Sequence, residues 1–490
     1  MFGHRHKQDE QVPTDPLDKP VLFFSPDDPF TIRDSFEGLH IFGGIGSGKT
    51  SGSGAFFARA YLTAGYGGLV LTAKPDETDL WINYAKETGR FDDLMIFGPD
   101  RELRFNALEY EAENSREGSG ITENIVQLFG TLGQIDSRTS GQKSGGENET
   151  YWRNQLHLMA RNAIDALRLA DLEISFANLQ NLVTSAPSDL DMLNESVWQE
   201  ESFCFEALDL MGLRKQSKQI PAKEMTSYDR CWDYWSRVYP KMDERPRSST
   251  QGSFIGLCDR FTRGVLHELF STDTNLTPED SLEGKIIVLD LPQKQFNEVG
   301  VLAQILFKYC WQRAIERRRV NQEAKPVFLW SDEAQHFINE HDVGFQATSR
   351  SSRVATVLLT QNIPNYLFGL GGDIRAKALV DSLLGNLVTK IFHNNTCVET
   401  NLYAARLFGH HWINAHSYRL DMNKGHSDPS YGLNYQEDSR FIVEPREFTD
   451  LKTGGPNNAF MVEGIVHKGG KTFNTSGGNA LIVQFNQKPQ

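Results

Sequence analysis

Apolar residues fall into short strand-like runs towards both ends of the chain and into a helical rhythm between them. Residues 39–42 (LHIF) form an apolar run that stops at a glycine-rich loop. Residues 51–63 then carry helical spacing, and residues 68–73 (GLVLTA) read as a buried strand. Strand, loop, helix and strand within about 35 residues make a βαβ unit, which implies a parallel sheet. Further strands are predicted at 94–97, 285–291 (KIIVLDL), 327–330 (VFLW), 355–360 (ATVLLT), 387–392 (LVTKIF) and 459–466 (AFMVEGIV).

Between residues 105 and 282 the strand-like runs nearly vanish. Helical patterns take over, as in YWRNQLHLMARNAIDALRL at 151–169. Residues 133–150, rich in glycine and serine, read as a flexible loop, and the polar stretch 421–438 as a surface loop or lid. The pattern predicts an α/β protein with a flexible tail over 1–20 and a nucleotide-binding domain built from 21–111 and 276–490. A mostly helical domain, 112–275, is inserted between them. No internal repeat is visible.

Length and composition narrow the class. At 490 residues the chain exceeds one ordinary core, and 39% hydrophobic with 23% charged residues describes a globular protein. No window holds the ~18 consecutive apolar residues of a membrane-spanning helix. The N-terminus MFGHRHKQDEQVPTDP lacks the apolar core of a signal peptide. Five cysteines without CxxC spacing point to a reducing, cytoplasmic setting and away from disulfides or structural zinc. A net charge of −14 makes the chain a poor general polyanion binder, so nucleic acid must meet a local basic strip.

The loop HIFGGIGSGKTSG (40–52) supplies the first chemistry. Gly43-x4-Gly48-Lys49-Thr50 satisfies GxxxxGK[ST] in the required place, after an apolar strand and before a helix. Such a loop turns backbone N–H groups onto phosphate oxygens, Lys49 neutralises the β/γ charge, and the Thr50 hydroxyl meets Mg2+. Gly43, Gly44, Gly46, Ser47, Gly48, Lys49, Thr50 and Ser51 are therefore the expected contacts to ATP. The dinucleotide reading of Gly44-x-Gly46 fails on the spacing to a third glycine.

Hydrolysis needs an acid for the metal and a group that positions water. The run VFLWSDE ends in Asp332 and Glu333; Asp332 is expected to hold Mg2+ and Glu333 to orient the attacking water. Gln361 follows the strand 355–360, at the edge where open α/β sheets bind ligands, and is placed to sense the γ-phosphate. Arg350 and Arg353, in SRSSR, fit either a solvated turn or an arginine that completes a neighbouring subunit's site.

With these blocks in order, the chain resembles the RecA-like ring ATPases of the VirD4/TraG type (TraD-like), the coupling proteins of type IV secretion and conjugation. The resemblance runs from about residue 39 to 465. It also rests on LVLTAKPDE (69–77), where the family's Pro-Lys pair is altered to Ala-Lys-Pro, and on RFNAL (104–108). YWRNQLHLMARNAI (151–164), GKIIVLDLP (284–292) and TQNIPNY (360–366) complete it. It implies a RecA-like P-loop NTPase domain with a largely parallel sheet and an inserted all-α domain. It further implies a homo-hexamer driving DNA, or a relaxase-like protein–DNA complex, through a central channel. Carried over by residue, Lys49 and Thr50 bind phosphate and Mg2+, Asp332 and Glu333 are the Walker B pair, Gln361 is the sensor, and Arg350 is the arginine acting in trans. The family's membrane anchor has no counterpart here, so either a partner in the secretion machinery supplies it at the inner membrane, or the chain is a soluble relative whose motor serves another purpose.

Two other readings stand beside the translocase. One is a soluble HerA/FtsK-like DNA pump serving a partner nuclease. The other is an adaptor that binds ATP without turnover, which Glu333 argues against. Basic groups that could meet DNA are Arg214, Lys215, Lys218 and Lys223, then Arg245 and Arg247, then Arg317 to Arg319.

Overall fold

The computed structural model describes residues 15–113, 121–139, 147–321, 323–421 and 430–488. Thirteen strands are defined among them: β1 (Pro20–Ser25), β2 (Asp28–Thr31), β3 (Leu39–Phe42), β4 (Gly67–Leu71), β5 (Leu94–Phe97), β6 (Ile286–Leu289), β7 (Val327–Ser331), β8 (Val354–Thr360), β9 (Thr389–Phe392), β10 (His410–Asp421), β11 (Ser430–Phe441), β12 (Met461–Lys468) and β13 (Ala480–Asn486). Nine form one sheet in the order β13-β12-β9-β3-β8-β7-β4-β6-β5. From β9 to β5 every pairing is parallel, and β12 and β13 add an antiparallel edge.

The parallel strands are covered on both faces, which is why they read as unbroken apolar runs. Alternation still sorts their side chains. Leu69 and Leu71 of β4 join one apolar cluster and Val70 the cluster on the other face. The first cluster continues from the sheet into the helices of the middle region, through Phe129, Trp235 and Phe254. Every described element from Ala107 to Phe270 is helical.

A long helix, Gln293–Arg317, joins the sheet to those helices. It is broken at Asn297, whose φ is 50°. The Gln304 amide inside it completes the ladder beyond β4: its Oε1 accepts from Thr72 N at 2.7 Å and its Nε2 donates to Thr72 O at 2.9 Å. Further along, Tyr309 bonds Gln127, Arg313 bonds Asn124, and Arg317 pairs with Glu111 at 3.1 Å. Lys308 of the same helix forms a buried pair with Asp342 at 2.5 Å.

Three expectations change. The tail predicted over 1–20 lies outside the described residues up to 14, but Asp15 and Asp18 are pinned to Arg33 at 2.5 and 2.7 Å, and Pro20 opens β1. The loop predicted over 133–150 is helix at both ends, in Ile121–Thr139 and Glu147–Ala170, with 140–146 outside the described residues. The predicted lid over 421–438 is largely strand. β10 and β11 pair along twelve residues each, and 422–429 lie outside the description. The run of polar residues in its sequence gave that hairpin no clear period-2 signal.

Candidate nucleotide-binding site

β3, β8, β7 and β4 end side by side, and their carboxyl-terminal extensions build one cleft of about 620 Å³. Residues 43–49 leave β3 as a tight loop. Gly48 has φ +82°, and a side chain there would press on Val462 of β12, 2.5 Å from its Cγ2. A Cβ on Gly43 would lie 2.3 Å from Ser47 Oγ. The loop closes only with glycine at both places. The following helix opens with a wide turn, Gly54 N donating to Lys49 O at 2.8 Å, before the regular helix Ala55–Thr63. Beneath it the Ser53 hydroxyl donates to His393 Nε2 at 2.6 Å, while His393 Nδ1 donates to Glu463 O at 2.7 Å. Burial holds this imidazole down at about 4, so it is neutral and its two bonds are complementary.

The residues expected at the site converge. Lys49 Nζ lies 3.3 Å from Glu333 Oε1, and Thr50 Oγ1 donates to Asp332 Oδ2 at 2.6 Å. Gln361 Nε2 is 3.3 Å from both Glu333 oxygens. Glu333 itself adopts left-handed backbone angles, φ 48° and ψ 48°, a strained turn that aims its carboxylate into the cleft. Burial pushes this carboxyl up. The Lys49 charge, a Gln335 hydrogen bond, Lys74 and Gln361 outweigh it and hold the group down at about 2.

Three participants were given no role from the sequence, although two of them lie in the LVLTAKPDE block. Gln335 donates to Glu333 Oε2 at 2.9 Å and accepts from Thr360 Oγ1 at 2.7 Å, bracing the acid from β8. Lys74 Nζ stands 3.5 Å from Glu333, 3.7 Å from Asp332 and 3.7 Å from Glu77. Burial pulls its ammonium down, but these three carboxylates raise it overall. Glu77 is buried, and burial with repulsion from Asp332 pushes its carboxyl up. The signal for Lys74 was its place just past the end of a strand, the position that also marks Asp332 and Gln361.

Arg350 is not brought to this cleft. It precedes the amino end of β8, whereas Gln361 follows the carboxyl end, roughly 20 Å away at ~3.3 Å per residue. Its guanidinium is 64% exposed and faces Glu37 at 3.6 Å. Arg353 donates to Ala324 O at 2.9 Å. Of the basic groups considered for DNA, Arg214 pairs with Asp171, Lys215 with Asp229, and Arg317 with Glu111, so each has its charge offset locally.

The donor set fits a nucleotide with its metal. The Ser47 hydroxyl is buried inside the loop without a hydrogen-bond partner, an orphan that a phosphate oxygen would satisfy. Thr50 and Asp332 offer the hydroxyl and carboxylate oxygens that suit Mg2+.

No family model matches the chain, and no curated protein matches it. Solved structures do. The bacterial conjugative coupling protein TrwB, lacking its first 70 residues, matches with a TM-score of 0.60 at 13% identity, over 96% of this chain and 89% of that one. The chain has the coupling-protein fold. TrwB with a non-hydrolysable ATP analogue matches at 0.59 and 12% identity, over 98% and 91% of the two chains. TrwB with ADP and Mg2+ matches at 0.55 and 12% identity, over 96% and 90%. The central domain thus has the mostly parallel α/β fold of those structures, with the GxxxxGK[ST] loop directly after β3. Among the described residues, no helix is long and apolar enough to cross a membrane.

Proposed function

We propose that this protein is an ATP-driven motor that moves DNA, or a protein–DNA complex, in the manner of a conjugative coupling protein. The observation that carries this reading is the convergence of Lys49, Thr50, Asp332, Glu333 and Gln361 on one cleft of a coupling-protein fold. Residues 112–275 form its inserted helical domain, between motor segments 21–111 and 276–490.

The backbone of 43–48 and Lys49 bind the phosphates, and Thr50 with Asp332 would hold Mg2+. The metal supplies charge neutralisation on the phosphoryl oxygens. Glu333, ionised and braced by Gln335 and Gln361, orients water for in-line attack and takes up its proton. Gln361 bonds the same carboxylate, so a change at the γ-phosphate reaches β8 directly. Arg350 serves the neighbouring subunit of a homo-hexamer. Its distance from its own cleft and its exposure support that role.

DNA-stimulated ATP turnover tests the proposal. Purified protein is expected to hydrolyse ATP with Mg2+ faster when DNA is added, with steep salt dependence. Turnover indifferent to any nucleic acid would leave an ATPase that is not a DNA motor.

A further inference from the structure

Glu333 Oε1 is shared by two ammonium groups from different strands, Lys49 at 3.3 Å and Lys74 at 3.5 Å. Lys49 is the lysine that the phosphate-binding loop directs at a nucleotide. Once it turns to the phosphates, the buried Glu333 carboxylate loses that partner, and an unpaired buried carboxylate is strongly disfavoured. Lys74 is fixed elsewhere. β4 pairs with β7 in register, Leu71 beside Ser331, so Lys74 and Glu333 leave adjacent strands together. Three bonds hold the backbone around it: Thr72 N to Gln304, Ala73 N to Glu77 Oε2 at 2.7 Å, and Lys294 N to Ala73 O at 3.1 Å. The Glu77 oxygen on the Lys74 side has no hydrogen-bond partner. It lies 3.7 Å from Lys74 Nζ, which anchors the ammonium between the two acids.

We propose that Lys74 is a positioning residue, the second counter-ion of Glu333, which keeps that carboxylate paired and aimed while Lys49 is engaged with phosphate. The inference rests on the nucleotide-site reading above and deepens it. Without nucleotide the two lysines are redundant. With nucleotide, Lys74 is the lysine that remains beside Glu333, next to the Gln335 and Gln361 amides.

Redundancy is read without nucleotide or activity. Lys49→Met and Lys74→Met are each expected to lower the melting temperature modestly, because one cation stays beside Glu333. The double variant is expected to lose more than the sum of the two, and that excess should vanish when Glu333→Gln is added. Additive losses in both backgrounds overturn the inference. If the double variant does not fold, the single Lys74→Met decides the matter through kinetics. Its affinity for a non-hydrolysable ATP analogue should match wild type while kcat falls roughly tenfold to a hundredfold, the scale of a misplaced catalytic group. Lys74→Arg should restore most of the rate. Equal loss of affinity and rate, or no rescue by arginine, overturns the proposal. The underlying site reading fails separately: it is lost if Lys49→Met binds the analogue normally, whatever Lys74 does.

Discussion

Lys49 and Glu333 face each other across the cleft, Nζ to Oε1 at 3.3 Å, with both side chains more than nine-tenths buried. The pair places the loop's cation where a γ-phosphate must arrive. Lys49→Ala is therefore expected to abolish nucleotide binding at micromolar ATP, measured by fluorescence titration. Unchanged binding would remove the loop from the site.

Glu333→Gln keeps the shape of the side chain, leaves one acceptor oxygen for the Gln335 and Gln361 amides, and cannot accept a proton. We expect ATP affinity to persist while kcat drops by ~10²-fold or more, the usual worth of a positioned general base. Single-turnover quench separates the two quantities. An undiminished kcat would assign the water to another group.

The same carboxylate links stability to pH. Its value in the folded protein, about 2, lies below the ordinary 4.5. Its contribution is therefore complete above about pH 4.5 and is lost as pH falls through about 2. Acid titration of the nucleotide-free protein should show a shallower loss of stability in Glu333→Gln across that window. Parallel curves would contradict the pairing.

Gly48→Ala tests the loop's geometry. A side chain at φ +82° costs about 1–2 kcal/mol, and here it also meets Val462 at 2.5 Å. The variant should melt lower than wild type and bind ATP weakly, and Val462→Ala should relieve part of the first defect and little of the second. Calorimetry and titration report the two effects independently.

Asp342→Ala leaves Lys308 buried without its carboxylate, at a cost of about 3–5 kcal/mol. Chemical denaturation should show this loss. A change below about 1 kcal/mol would mean that water reaches Lys308.

Much of this was legible in the sequence, for identifiable reasons. Parallel strands buried on both faces leave continuous apolar runs, so β3 to β9 were predicted within a few residues, and Asp332, Glu333 and Gln361 could be placed at strand ends. Local patterns failed where partners are distant in the chain. The hairpin β1–β2 hid in a region judged by its polar start, although VLFF before the turn residues of SPDDP carried a usable signal. β13, with its alternating ALIVQFN, was passed over at the chain's end. Gln335 looks ordinary along the sequence and Lys74 is marked there only by its place after a strand, because the register of β4 with β7 and the Gln335 bond to Thr360 of β8 bring them to Glu333. Arg350 was chosen for its distance from Gln361, and that spacing puts it at the far end of β8, outside its own cleft.

The long helix Gln293–Arg317 also bears on how work could leave the cleft. Its first residues line the cleft, Gln304 is bonded to β4, and its last turns grip the helical region. Past the break at Asn297 it is one continuous helix, bonded to β4 at Gln304. Arg317 lies about 20 Å beyond that point, so a tilt of ~10° swings it by roughly 3 Å. A rotation there would send the two arms in opposite senses, with the longer arm towards Arg317 trading force for reach.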